Sequence, residues 1–300
     1  MTLPDGVRLG VSPLSWINEV IEAFGCDTTA ETCLSEAAEA GYAGVETSRK
    51  FPADPAALRA LLENHRLDLV TGWHSGTLAE GGVDAEMAGV EGRARLLSAM
   101  GCTVMVYGET AMMAPGSPLD LPMSRRSTMP AAGVAAYATR LTEFARRLTE
   151  SHGLRLAYHH HLMMVAETFE ETDAILSLAG PEVGLLLDTG HAAAGGFDYA
   201  RLIARHGDRI AHIHLKDVRR DVLDRVRRED LSFNDAVRAG LFTVPGDGDL
   251  DFGPLARFVR DAGWRGWLVV EAEQDPDRAR PLPAVRRARN HVSNLFGEAR

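Results

Sequence analysis

Three short apolar runs in the middle of the chain each end in side chains that bind metals or move protons. The first, LRLAYHHH, ends in His159, His160 and His161, with Glu167 shortly after. The second, VGLLLD, ends in Asp188, and His191 follows one helical turn later. The third, RIAHIHLKD, ends in His214, Lys216 and Asp217. Nearer the C-terminus, GWLVVEAEQD sets Glu271 and Glu273 two residues apart, on one face of a strand. A carboxylate at the exit of a buried strand is costly unless it is paired or binds a metal. Asp188 also has a plainer reading, as the cap of the next helical turn; His191 three residues on favours a site. His214 shares a strand face with His212 and lies nearer the strand's carboxyl end, so it is the better ligand, oriented through its second ring nitrogen. Lys216, on that face again, suits a general acid, an oxyanion contact or a structural ion pair with Glu271 or Glu273. By alternation His159 and His161 face one way and His160 the other, so at most two of the three enter one site.

Carboxylates with imidazole and no thiolate favour Mn²⁺, Co²⁺ or Mg²⁺ over a structural zinc. Such an ion polarises a carbonyl and stabilises an enediolate. Histidines that titrate near neutrality suit the removal and return of a proton. The chemistry suggested is therefore proton transfer next to a ketone. Trp16 and Trp73 could floor a substrate pocket, with core packing as the plainer reading, while His74, Glu46 and Glu109, which end earlier strands, and His159 are candidate substrate contacts.

Those residues need a scaffold that delivers strand ends repeatedly to one place. Strand-like runs are expected at Val7–Trp16, Tyr42–Thr47, Leu67–Gly76 and Thr103–Glu109, before the three central runs and Gly266–Asp275. Helical periodicity fills the intervals at about Ala30–Ala40, Pro55–His65, Asp84–Met100, Ala131–His152, Phe169–Leu178, Tyr199–His206, Gly253–Ala262 and Pro283–Phe296. Thr110–Met129 has no periodicity and is expected to be a lid or disordered. Val218–Leu241 reads as a short helix plus loop, and FTVPGDGDLDF as turns. Eight strands alternating with helices imply parallel βαβ units, and a chain of 300 residues fits one (β/α)8 barrel domain over residues 1–300. No GxGxxG follows the first strand, which disfavours a dinucleotide fold.

The formal charge of −10 argues against a nucleic-acid partner, because phosphate binding is driven by Lys and Arg. Cys26, Cys33 and Cys102 are too few for a disulfide framework, and reduced thiols in a cytoplasmic protein are expected. The opening MTLPDGVRLGVSP lacks the pattern of a signal peptide, and no apolar run is long enough for a membrane span. Association into a homo-oligomer is left open.

Read together, GVSPLSW, GVET, GWHSG, VYGE, AYHHH, LLDTGHAAAGG, HIHLKDVR, FTVPGDGDLDF and VVEAEQDP resemble the xylose-isomerase-like sugar isomerase/epimerase barrels, and within them the inosose dehydratases. The resemblance covers nearly the whole chain in order. It implies a TIM barrel, a divalent metal (usually manganese or cobalt), and dehydration of 2-keto-myo-inositol. By position it implies Asp188, His214 and either Glu271 or Glu273 as ligands, with Glu167 standing in for a strand-five glutamate whose place His159 takes. His161 or Lys216 is implied as the base and His191 as the proton donor. Met163-Met164 replace the glycine and threonine associated with dehydratases after the triple histidine. The family is also associated with glutathione, for which no motif is readable. The nearest rival is a ketose isomerase or epimerase on the same barrel. An abasic-site endonuclease and a non-catalytic sugar sensor are further rivals.

Overall fold

Runs rich in Val, Leu and Ile, each bounded by Gly, Asp or His, form short parallel strands, and the stretches with three-to-four spacing form the helices between them. The computed structural model describes residues 3–297. By contacts the chain separates into two units. The first comprises the chain up to Val70, Ile213–Arg228, and the chain from Asn234 onward; the second comprises Thr71–His212 and Glu229–Phe233.

In the first unit β1 (Val7–Val11) pairs in parallel with β2 (Gly44–Val45), and β2 with β3 (Asp68–Leu69). On its other side β1 pairs with β11 (Gly266–Val270), which pairs with the carboxyl end of β8 (Ile210–Leu215). Helices α1 (Ala30–Glu39), α2 (Pro55–His65), α10 (Gly253–Asp261) and α11 (Pro281–Gly297) belong here. Asp54 caps α2 through the Ala57 N–H, and Pro55 occupies its first turn, where a missing N–H costs nothing. The stretch after β8, expected as a short helix plus loop, holds more regular structure than that. It holds α8 (Arg220–Glu229), α9 (Phe233–Ala239) and an antiparallel ladder of β9 (Asp217–Val218) with β10 (Phe242–Thr243).

In the second unit β4 (Trp73–Gly76), β5 (Val104–Glu109), β6 (Arg155–His159) and β7 (Val183–Asp188) pair in parallel in chain order. Around them run α3 (Val83–Ala99), α4 (Ala131–His152), α5 (Phe169–Leu178), α6 (Thr189–Ala194) and α7 (Ala200–His206). The register lines up Trp73, Val106 and Ala157 on one face, where Val106, Ala157 and Leu186 form a buried cluster with Trp73 against it. The opposite face presents Tyr107 and Tyr158, both buried, and Tyr158 meets Tyr137 of α4 edge to face.

The single third strand expected over Leu67–Gly76 is two strands, β3 and β4. Val70 N–H bonds the Val45 carbonyl, whereas the Thr71 hydroxyl bonds the Val104 carbonyl, so the hydrogen-bonding partner changes between two adjacent residues. Residues 110–129 are ordered and contain two short 3-10 turns, Pro118–Asp120 and Met123–Arg125. Arg126 ties this loop to the Glu171 carboxylate at 2.8 Å and to the Met164 carbonyl at 3.1 Å. Among the described residues no helix is long and apolar enough to cross a membrane.

Candidate active site

Strand register places one polar cluster in the first unit. Gly10 pairs with Gly44 and with Val269, and Val269 pairs with His214. Two residues further along, on the same face, are Glu46 and Glu271, with Lys216 in phase behind His214. All four are buried. His214 Nε2 donates to Glu46 Oε1 at 3.0 Å, and because a carboxylate only accepts, that nitrogen carries the proton. Glu271 Oε2 lies 2.9 Å from His214 Nδ1. Two lone-pair atoms that close require a proton between them, on the ring or on the carboxyl, or a metal ion beside them. Lys216, fully buried, places Nζ 2.6 Å from Glu271 Oε1 and 2.7 Å from Glu273 Oε2, over the Phe242 ring. The ion-pair reading of Lys216 is therefore the one observed, with both glutamates as partners.

Glu46, read as a substrate contact, instead holds the second nitrogen of His214. Trp16 is 1% exposed and donates its indole N–H to Glu36 of α1, so its polar atom is spent within the protein. Asp217 accepts backbone N–H groups from Val218, Gly246, Gly248 and Leu250 and so holds the PGDGD turn in place. Burial nevertheless raises its carboxyl above the ordinary value.

The second unit carries the imidazole cluster. Asp188 performs both roles considered for it: Oδ1 accepts the His191 N–H at 2.8 Å and caps α6, while Oδ2 lies 3.6 Å from His159 Nε2. His159 Nδ1 is 2.7 Å from the His160 carbonyl, and His161 Nδ1 is 2.7 Å from the Leu162 carbonyl. A carbonyl only accepts, so both rings carry a proton on Nδ1, and in their neutral form the lone pair is on Nε2. His191 has the opposite tautomer, because its Nδ1 accepts the Leu162 N–H at 3.4 Å and its proton must lie on Nε2. The His161 and His191 ring centroids are 3.7 Å apart. A base and a hydrogen-bond donor thus lie side by side. His160 turns away, as alternation requires, and its Nε2 accepts the Asp188 N–H at 3.2 Å.

Trp73 meets His159 and His161 edge to face at 5.7 and 6.1 Å. Its ring crosses β5 where Gly108 has no side chain; a Cβ there would sit 2.0 Å from the indole. His74 and Glu109 do not join this group. His74 is out of phase with Trp73, and Glu109 is in phase with Tyr107, so strand alternation turns both toward the helices. His74 Nε2 donates to Glu86 of α3 at 2.6 Å and stacks on Phe144 of α4. Burial works to raise the Glu86 carboxyl, but the bonds from His74 and Thr77 outweigh it and hold the group below its ordinary value. Glu109 accepts from the Tyr107 hydroxyl and from the Ala79 and Ala111 N–H groups, and burial raises its carboxyl.

Glu167, expected as a ligand, joins no cluster of donor side chains among the described residues. The chain after His161 curls back, with Met163 at φ 67° and the His161 N–H bonded to the Ala166 carbonyl. Glu167 Oε2 closes that turn by accepting the Met163 N–H at 2.7 Å and lies 3.3 Å from Arg126 Nε. Burial raises its carboxyl against the pull of that N–H and of Arg126. Sequence reasoning missed Arg126 and also Phe233, whose ring lies parallel to His191 (9°) at 6.3 Å. Neither carries a motif that marks it.

Parallel strands alternating with helices, and acidic and imidazole side chains at the strand exits, define an α/β-barrel enzyme type. A profile described as "Xylose isomerase-like TIM barrel" matches residues 34–294, and the chain belongs to that family. The rhizopine catabolism protein MocC of Rhizobium meliloti is 42% identical over 293 residues, covering 98% of this chain and 90% of the relative. The inosose dehydratase of Geobacillus kaustophilus is 37% identical, covering 96% and 94%. The crystal structure of the IolI protein with a bound zinc atom matches the fold with a TM-score of 0.69 at 16% identity, covering 97% and 98%.

Proposed function

We propose that the chain dehydrates 2-keto-myo-inositol in inositol breakdown, removing an α-proton and then the β-hydroxyl. Curated relatives named inosose dehydratase, 35–37% identical over almost the whole chain, support this reading. Within the molecule, the observation that carries it is the His161–His191 pair with opposite tautomers. The donor sets, His159 with Asp188 and His214 with Glu271, combine imidazole and carboxylate and suit Mn²⁺ or Co²⁺, with Mg²⁺ as a poorer fit. Glu271 is preferred to Glu273 as ligand because it approaches His214, while Lys216 pairs with both. When bound, the ion would polarise the ketone and acidify the neighbouring C–H.

His161 takes the α-proton on Nε2, since its Nδ1–H is committed to the Leu162 carbonyl. His191, the expected proton donor, donates a hydrogen bond from Nε2–H to the departing oxygen, its Nδ1 accepting the Leu162 N–H. The C–H electron pair becomes the new C=C bond and the C–O pair leaves with the oxygen. The proton on His161 completes the water, and the enol tautomerises to the trihydroxycyclohexane-1,2-dione. Lys216, with two carboxylates on its Nζ, is not the base in this scheme.

The test is incubation of chelator-stripped protein with 2-keto-myo-inositol, following dione absorbance before and after Mn²⁺ or Co²⁺ is added. Dione should form only with metal. Interconversion of ketoses without loss of water would replace dehydration by isomerisation or epimerisation, and full turnover after stripping would remove the metal from the scheme.

A further inference from the structure

The segment Glu229–Phe233 clusters with the second unit although the chain on either side belongs to the first. It delivers one aromatic ring. Phe233 is 2% exposed, with its centroid 5.5 Å from His161 and 6.3 Å from His191. The rest of the segment is fastened to the proline-rich loop. Pro122 and Ser232 form an isolated antiparallel bridge, and the Met123 N–H bonds the Leu231 carbonyl at 3.1 Å. Ser124 grips Asp230 twice, by its N–H to Oδ1 at 3.0 Å and its hydroxyl to Oδ2 at 2.6 Å. Asp230 itself has φ 49°, a left-handed conformation a non-glycine residue holds only when its surroundings insist. The same loop reaches the histidine turn by a second route, since Arg126 lies against Glu167, and Glu167 binds the Met163 N–H two residues after His161. Residues 122–126 therefore fasten both the imidazole-bearing turn and the ring that lies on the imidazoles.

We propose that Phe233 is a positioning residue that shields the His161–His191 pair from water, and that the Ser124–Asp230 latch keeps it there. The role assigned to the two imidazoles rests on the dehydratase reading above; the shielding itself does not. An apolar ring over a proton-bearing imidazole slows exchange with solvent, so that a proton removed from substrate stays available for the leaving oxygen.

Two readouts test this. The first is exchange of the His161 Nδ1–H and His191 Nε2–H with water, followed by proton NMR without substrate. Phe233→Ala should exchange both measurably faster than the wild-type protein. Phe233→Leu should restore most of the protection, and Ser124→Ala, at an exposed position away from the core, should give a smaller change in the same direction. The second is deuterium incorporation at the α-carbon of substrate recovered from D2O during turnover, which should rise relative to dione formation in Phe233→Ala and Ser124→Ala, with kcat falling more than KM changes. Wild-type imidazole exchange in folded Phe233→Ala and Ser124→Ala would overturn the proposal. Failure of the wild-type protein to turn over 2-keto-myo-inositol would overturn the dehydratase reading alone, because the exchange rates would still decide the role of Phe233.

Discussion

The two units hold their polar clusters by different means. In the first, one lysine and one imidazole face three carboxylates, and direct ion pairs fix the geometry: Lys216 on Glu271 and Glu273, His214 between Glu46 and Glu271. In the second, one carboxylate faces the His159 imidazole alone, and the backbone does most of the fixing of the rings, through the carbonyls of His160 and Leu162 and the N–H of Leu162. The difference separates two tasks. A buried ion-pair network resists any change of charge, because removing one partner strands the other in a poorly solvating interior. Imidazoles oriented by neutral backbone groups keep a fixed tautomer, and each leaves one ring nitrogen uncommitted to those groups. The first cluster is suited to holding charge, and the second to moving it.

The largest effect that would sharpen this contrast is expected from Asp188→Asn. Asn retains an oxygen that can accept the His191 N–H but loses the charge facing His159. Turnover of 2-keto-myo-inositol should fall by roughly 10²–10³-fold, with the melting temperature nearly unchanged. A loss below tenfold would reduce Asp188 to a helix cap. Next in size is Lys216→Met, which leaves the buried carboxylates of Glu271 and Glu273 without their cation. Urea unfolding should show a stability loss of about 3–5 kcal/mol, and a near-neutral result would break the picture of the first cluster as a network held by direct ion pairs.

The smallest effect concerns Glu109, behind the second cluster. Its carboxyl sits above the ordinary value of 4.5, with burial as the main cause. Between the two values the folded chain binds a proton that the unfolded chain has released, so raising the pH through that window costs stability. Compared with Glu109→Gln, the wild-type urea midpoint should therefore fall as the pH rises above 4.5. A gap between the two proteins that stays constant with pH would show that Glu109 is ionised as readily folded as unfolded.

Much of the frame was legible from periodicity alone. The helices Pro55–His65, Ala131–His152 and Phe169–Leu178 fall where the apolar spacing places them. Alternation also read the triple histidine correctly, with His160 turned from its neighbours. The same rule carried further would have moved His74 and Glu109 off the site, since each is in phase with a helix-facing residue. Other features were not legible. The Leu67–Gly76 run has the composition of one strand, and the break within it depends on which neighbour accepts each hydrogen bond. Glu167 has the right type and position for a ligand, but the left-handed turn at Met163 directs it to a backbone N–H and to Arg126.

The order of residues thus settled which side chains leave which strand and on which face, because a period of two along a strand is a local geometric property. Tertiary structure alone decided what each of them meets there: that Lys216 pairs with both glutamates at once, that Glu46 holds a ring nitrogen of His214, and that Phe233 neighbours the imidazole pair. Those partners come from distant parts of the chain, and a local pattern holds no information about which distant groups a strand exit will face.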